Sequence, residues 1–137
     1  MQGSSALQEV LEKIKGRVDV FAVWEPILPT DLLSPGTDTL ALLQDSRVWQ
    51  VWDRGHLLSD EMRAGMTAHP SAIALETRRL YGKADGILWD AVAIFAPKAK
   101  WTETLPAPAY LDGDVVDVTA AVEDRLKQMT QLSGLGN

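Results

Sequence analysis

Six of the 137 residues combine the types and spacing that chemistry needs: Trp24, Glu25, Asp31, Trp52, Asp53 and His56. An aspartate three positions before a histidine can orient the imidazole for general acid and base work, and carboxylates in unlike surroundings separate their pKa values. Asp53 and His56 are therefore the candidate catalytic pair of a hydrolase or isomerase reading. Trp24, Glu25, Asp31, Trp52 and Asp53 form the candidate ligand-binding face, with indoles as apolar walls and carboxylates as polar contacts. The same residues have a plainer reading, in which acidic residues beside turns act as caps and tryptophans at strand ends belong to the core.

Much other chemistry is excluded or unsupported. The chain has no cysteine, which removes thiol nucleophiles, disulfides, dithiol exchange and thiolate metal sites. His56 and His69 are the only histidines and do not have compact zinc-ligand spacing, and no EF-hand-like loop supports a cation on Glu25, Asp31 and Asp53. No metal and no cofactor is expected. There is no G-x-S-x-G elbow and no Walker A sequence. With 13 Lys plus Arg against 19 Asp plus Glu, the net charge of -6 disfavours nucleic acid and anionic membrane as partners. The longest strongly apolar run, Val18 to Trp24, is far short of the roughly 20 residues that span a bilayer, and the first seventeen residues lack a signal peptide's apolar stretch. A cytoplasmic location is the expectation.

The elements that must position these residues follow from periodicity. Leu7, Val10, Leu11 and Ile14 recur as on one face of a helix, with Ser5 and Gln8 spaced as a capping box and Gly16 as terminator. Val18 to Trp24 is nearly continuous in apolarity, as in a strand covered on both faces. Three prolines between Glu25 and Gly36 predict an irregular loop at that strand's carboxyl end, followed by a short helix over Thr37 to Gln44 with Leu40 and Leu43 inward. Asp45 to Asp53 fits either strand or helix, because Val48, Val51 and Trp52 satisfy both patterns. Ser59 to Ala68 and Ser71 to Tyr81 read as helices, Gly82 to Gly86 as a turn, Leu88 to Ala96 as a strand and Ala109 to Leu111 as a short strand. Asp112-Gly113 reads as a hairpin-type turn, and a last helix from about Thr119 carries the stripe Val122, Leu126, Met129 and Leu132. One domain over residues 1–132, with a tail over 133–137, is the expectation. Asp112, Asp114 and Asp117 are turn and helix-start residues on this reading. Arg78, Arg79 and Lys83 form one basic cluster that reads as a solvated helix face or as a site for an acidic partner, Trp24, Trp49, Trp52 and Trp89 read as core or pocket walls, and Trp101 beside Lys98 and Lys100 reads as a surface anchor.

Four strings carry a family resemblance: W-E-P-I-L-P-T-D from Trp24, D-S-R-V-W-Q-V-W-D from Asp45, L-W-D from Leu88, and the tryptophan with a proline-rich stretch from Trp101. Together with the element order over roughly Leu7 to Val116, they resemble a group of uncharacterised bacterial thioredoxin-like proteins. The resemblance implies a three-layer α/β thioredoxin-like fold lacking the first strand. It also implies loss of the C-x-x-C motif, whose place is taken by Gly3, Ser4 and Ser5. A serine hydroxyl forms no reversible sulfur bond, so thiol-disulfide oxidoreductase activity is excluded. The function implied is a non-redox interaction or small-molecule binding module, or an inactive relative of the oxidoreductases. A missing first strand leaves an apolar strand edge open, which predicts a homodimer or other homo-oligomer through Val18 to Trp24, with a small molecule or peptide as a further possible ligand.

Overall fold

The computed structural model describes residues 2–28, 30–31, 33–68 and 87–134. Its elements run α1 (Gln2–Lys13), β1 (Val20–Trp24), α2 (Thr37–Leu40), β2 (Val48–Trp52), α3 (Leu57–Ala68), β3 (Ala91–Ile94), β4 (Tyr110–Gly113) and α4 (Val115–Gly134). This is a mixed α/β structure. β1 and β2 pair in parallel, with Phe21 opposite Trp49 and Trp24 opposite Trp52, while β3 and β4 pair antiparallel, with Ala93 opposite Leu111. Among the described residues these are two separate two-stranded sheets.

The core forms on both faces of β3 and β4. Strand side chains alternate between faces, so Val92, Ile94 and Tyr110 meet Val10 of α1, Ile14 just past its end, and Val122 and Leu126 of α4. Ala91, Ala93 and Leu111 turn the other way, onto Leu58 and Met62 of α3. Val10, Leu11 and Val122 are almost completely buried, each worth roughly 1.5–3 kcal/mol by removal of apolar surface from water. Gly16 matters by size, because a β-carbon there would lie 2.5 Å from Cβ of Thr130 on α4.

Several expectations change. α1 starts at Gln2, so Ser5 lies inside the helix, and the Gln8 amide oxygen instead accepts from the backbone N–H groups of Gln44 and Asp45 at 3.0 and 3.3 Å. Asp45 to Asp53 resolves as a turn followed by a strand, because pairing with β1 decides what local periodicity leaves open. β1 is not covered on both faces: Phe21 is 67% exposed. Trp49 and Trp89 are likewise on the surface instead of in the core, and Leu132 leaves the expected stripe and is exposed. Asp112 and Gly113 belong to β4, not to a hairpin turn, and α4 begins at Val115, ahead of Thr119. The expected helix over Ser71 to Tyr81, the turn over Gly82 to Gly86, the cluster Arg78, Arg79 and Lys83, and His69 lie outside the described residues.

Candidate functional site

The carboxyl ends of β1 and β2 lie side by side, joined beyond the last strand pair by the Asp53 N–H donating to the Trp24 carbonyl at 2.8 Å. Glu25 and Asp53 therefore leave adjacent strands at the same end and arrive at the first turn of α3. A helix begins with four N–H groups that have no helical acceptor, and its dipole favours negative charge there. Asp53 takes the Leu58 N–H on Oδ2 at 2.9 Å and the Gly55 N–H on Oδ1 at 3.1 Å. Glu25 takes the Ser59 N–H on Oε1 at 3.2 Å and the Ser59 hydroxyl on Oε2 at 2.6 Å. Ser59 in turn accepts the Leu88 N–H at 2.8 Å, which ties residue 88 to the end of β1 through Glu25.

His56 completes the group, and its partner is not the one expected. Its Nδ1 lies 3.4 Å from Glu25 Oε2, while both Asp53 oxygens serve backbone amides. His56 holds the left-handed conformation at φ 56° and offers its carbonyl to the Asp60 N–H, opening α3. Asp31 stands apart, its Oδ2 closing its own loop onto the Ile27 and Leu28 N–H groups at 3.0 and 2.9 Å. Those two donors, Leu28 first, hold its carboxyl below the ordinary carboxylate value.

The indoles lie on the covered face of the strand pair. Trp24, Gln50 and Trp52 share one side by alternation; Trp24 Nε1 donates to Gln50 Oε1 at 3.1 Å, and Gln50 Nε2 donates to the Leu40 and Leu43 carbonyls. The opposite side presents Phe21, Val23, Trp49 and Val51, with Trp49 62% and Val51 46% exposed. Of the six candidates, the structure thus joins Glu25, Asp53 and His56 at one helix start, pairs Trp24 with Trp52 behind them, and leaves Asp31 in its loop.

Two residues that hold this region together carried no sequence signal of their own. Ser59 is the buried polar centre of the group at 1% exposure, yet a serine near a helix start looks the same when it faces water. Arg47 anchors the other end of the strand pair. Its Nε and Nη2 donate to the two oxygens of Asp45 at 2.8 and 2.6 Å, Nη1 to the Ile14 and Gly16 carbonyls, and Nη2 also to the Leu11 carbonyl. The Arg47 guanidinium holds the Asp45 carboxyl down at about 2.

Among the described residues, no group of three or more His, Asp or Glu is arranged to hold a metal ion, and no helix is long and apolar enough to cross a membrane. A shallow cavity of about 480 Å³ lies between the start of α1, Leu42 and Val116 and shares no residue with the Glu25 group. No protein-family model matches the chain, and neither a curated protein nor a solved structure matches it.

Proposed function

We propose that this chain is a non-redox binding module on a thioredoxin-like scaffold, and that its working surface is the open face of β1 and β2. The observation that carries the reading is the pair Phe21 and Trp49, directly opposite each other and both about two-thirds exposed, with Val51 beside them. Large apolar side chains grouped on one strand face mark interaction surfaces more often than isolated ones do. The scaffold reading is supported by the order of a parallel pair, then an antiparallel pair, then a closing helix. It is supported too by two ties that draw β1 toward β3: Val18 packs into the cluster of Val92 and Ile94, and Glu25 reaches Leu88 through Ser59.

Those ties also move the partner surface. The sequence predicts self-association along the edge of Val18 to Trp24; Val18 before β1 and Glu25 after it are tied to the Val92 cluster and to Leu88, and we take the face, with its exposed Phe21, Trp49 and Val51, as the partner surface. The occupant we assign is a second copy. The four face positions carry no charge, so the repulsion from a net charge of -6 acts only across solvent, where salt screens it. Sedimentation of the wild-type chain should show a monomer-dimer equilibrium in the micromolar range, weakened at least tenfold in Trp49→Ser. A wild-type monomer throughout, or a dimer indifferent to Trp49→Ser and Phe21→Ser, overturns this reading.

A further inference from the structure

Of the two strand-end carboxylates at the start of α3, Glu25 is the one that, among the described residues, also meets a histidine. Its side chain is 7% exposed, and its two oxygens are fixed by the N–H and hydroxyl of Ser59, itself held by the Leu88 amide. His56 is placed differently. Its side chain is 30% exposed, Nδ1 faces Glu25, and no hydrogen bond from the described residues reaches Nε2. Its φ of 56° is a conformation glycine adopts at lower cost, and Gly55 stands one position earlier, so the turn alone does not call for an imidazole. A histidine in a glycine-favouring position, resting on a buried carboxylate through one nitrogen and unpartnered at the other, has the form of an acid-base dyad.

We propose that His56 is a proton-transfer base, with Glu25 as its positioning residue, that activates water against a small neutral acyl compound such as an ester. The carboxylates Glu25 and Asp53 and the overall acidity favour a neutral substrate over an anionic one. Nε2 takes one proton from water while the water oxygen bonds to the acyl carbon, and the imidazolium so formed is stabilised by Glu25 at Nδ1–H. The tetrahedral intermediate then expels the alcohol oxygen, which takes the proton back from Nε2. One ester and one water give one acid and one alcohol, and His56 is returned neutral. Asp53, expected from the sequence to orient His56, keeps its backbone partners throughout. The proposal does not depend on the apolar face of β1 and β2.

The probe is p-nitrophenyl acetate with the full chain. Hydrolysis above the buffer rate is expected, about tenfold or more lower in His56→Gln, unchanged in His69→Gln, and several-fold lower in Glu25→Gln with its circular dichroism retained. Nitrogen NMR of the imidazole supplies a readout that a merely structural Glu25 would not move. The neutral His56 ring should carry its proton on Nδ1 in the wild type and shift toward Nε2–H in Glu25→Gln. Wild-type hydrolysis no faster than buffer, equal rates with and without His56, or Nε2–H as the major wild-type form each overturns the proposal. The last of these needs no variant to fold.

Discussion

The two ends of the β1 and β2 pair are fastened to helices by opposite charges. At the amino end, Arg47 gathers the carbonyls of Leu11, Ile14 and Gly16 at the end of α1, where the helix dipole favours a cation. At the carboxyl end, Asp53 and Glu25 gather the amides of Leu58 and Ser59 at the start of α3, where it favours an anion. The ends differ in what is left over. A guanidinium has five N–H donors, and the five bonds from Arg47 to Asp45 and the three carbonyls use all of them. At the other end His56 keeps a ring nitrogen that has no partner among the described residues. A saturated polar cluster can hold a fold together but has no donor left for a ligand, which is why the proposed chemistry is placed at the other end.

The contrast breaks most readily at Arg47. Arg47→Ala removes the guanidinium from the Ile14, Gly16 and Leu11 carbonyls and from the Asp45 carboxylate, leaving Leu11 with the Ile14 N–H and Asp45 with the backbone N–H of residue 47, and a loss of about 3 kcal/mol is expected, with Tm falling by roughly 10 °C. Arg47→Lys should recover less than half of that, because an ammonium has three donors and cannot reproduce the planar fork. Thermal unfolding followed by circular dichroism measures both. A loss under 1 kcal/mol in Arg47→Ala would show that the α1 carbonyls are satisfied without it. At the opposite end Ser59→Ala leaves the Leu88 amide without its acceptor and removes a donor from Glu25, with an expected cost of about 1–3 kcal/mol. Hydrogen exchange should place that loss at Leu88 and the first turn of α3 and leave the residues around Arg47 as protected as before. Exchange that speeds equally at both ends would dissolve the distinction between them.

These two clusters also mark how far the sequence was legible. α1 was readable because Leu7, Val10, Leu11 and Ile14 repeat at the helical period, and Val10, Leu11 and Ile14 are buried as that predicts. β2 was not, because Val48, Val51 and Trp52 fit two periods, and what decides is pairing with residues 28 positions earlier. Glu25, Asp53 and His56 were visible as candidates from their types alone. Their pairing was not, since local spacing puts His56 nearest Asp53 whereas the fold brings Glu25 to it across 31 positions. Arg47 acts on carbonyls 31 to 36 positions away, and no local pattern encodes such a bond.

The smallest expected effect sharpens the same contrast by pH. The hydrogen bonds and charge of Arg47 lower the Asp45 carboxyl from its ordinary value to about 2 in the folded chain. A carboxylate whose folded pKa lies below its unfolded one, about 3.9, contributes stability that is complete above the unfolded value and is lost as pH falls through the folded one. Asp45 therefore helps hold the α1 end at neutral pH and stops helping between about pH 4 and pH 2. Asp45→Asn should be less stable than wild type at neutral pH, and the gap should close steadily over that interval. Urea unfolding of both chains at a series of pH values measures it. A gap that stays constant down to pH 2 would mean that Arg47 does its work on the α1 carbonyls alone and that Asp45 only steers it there.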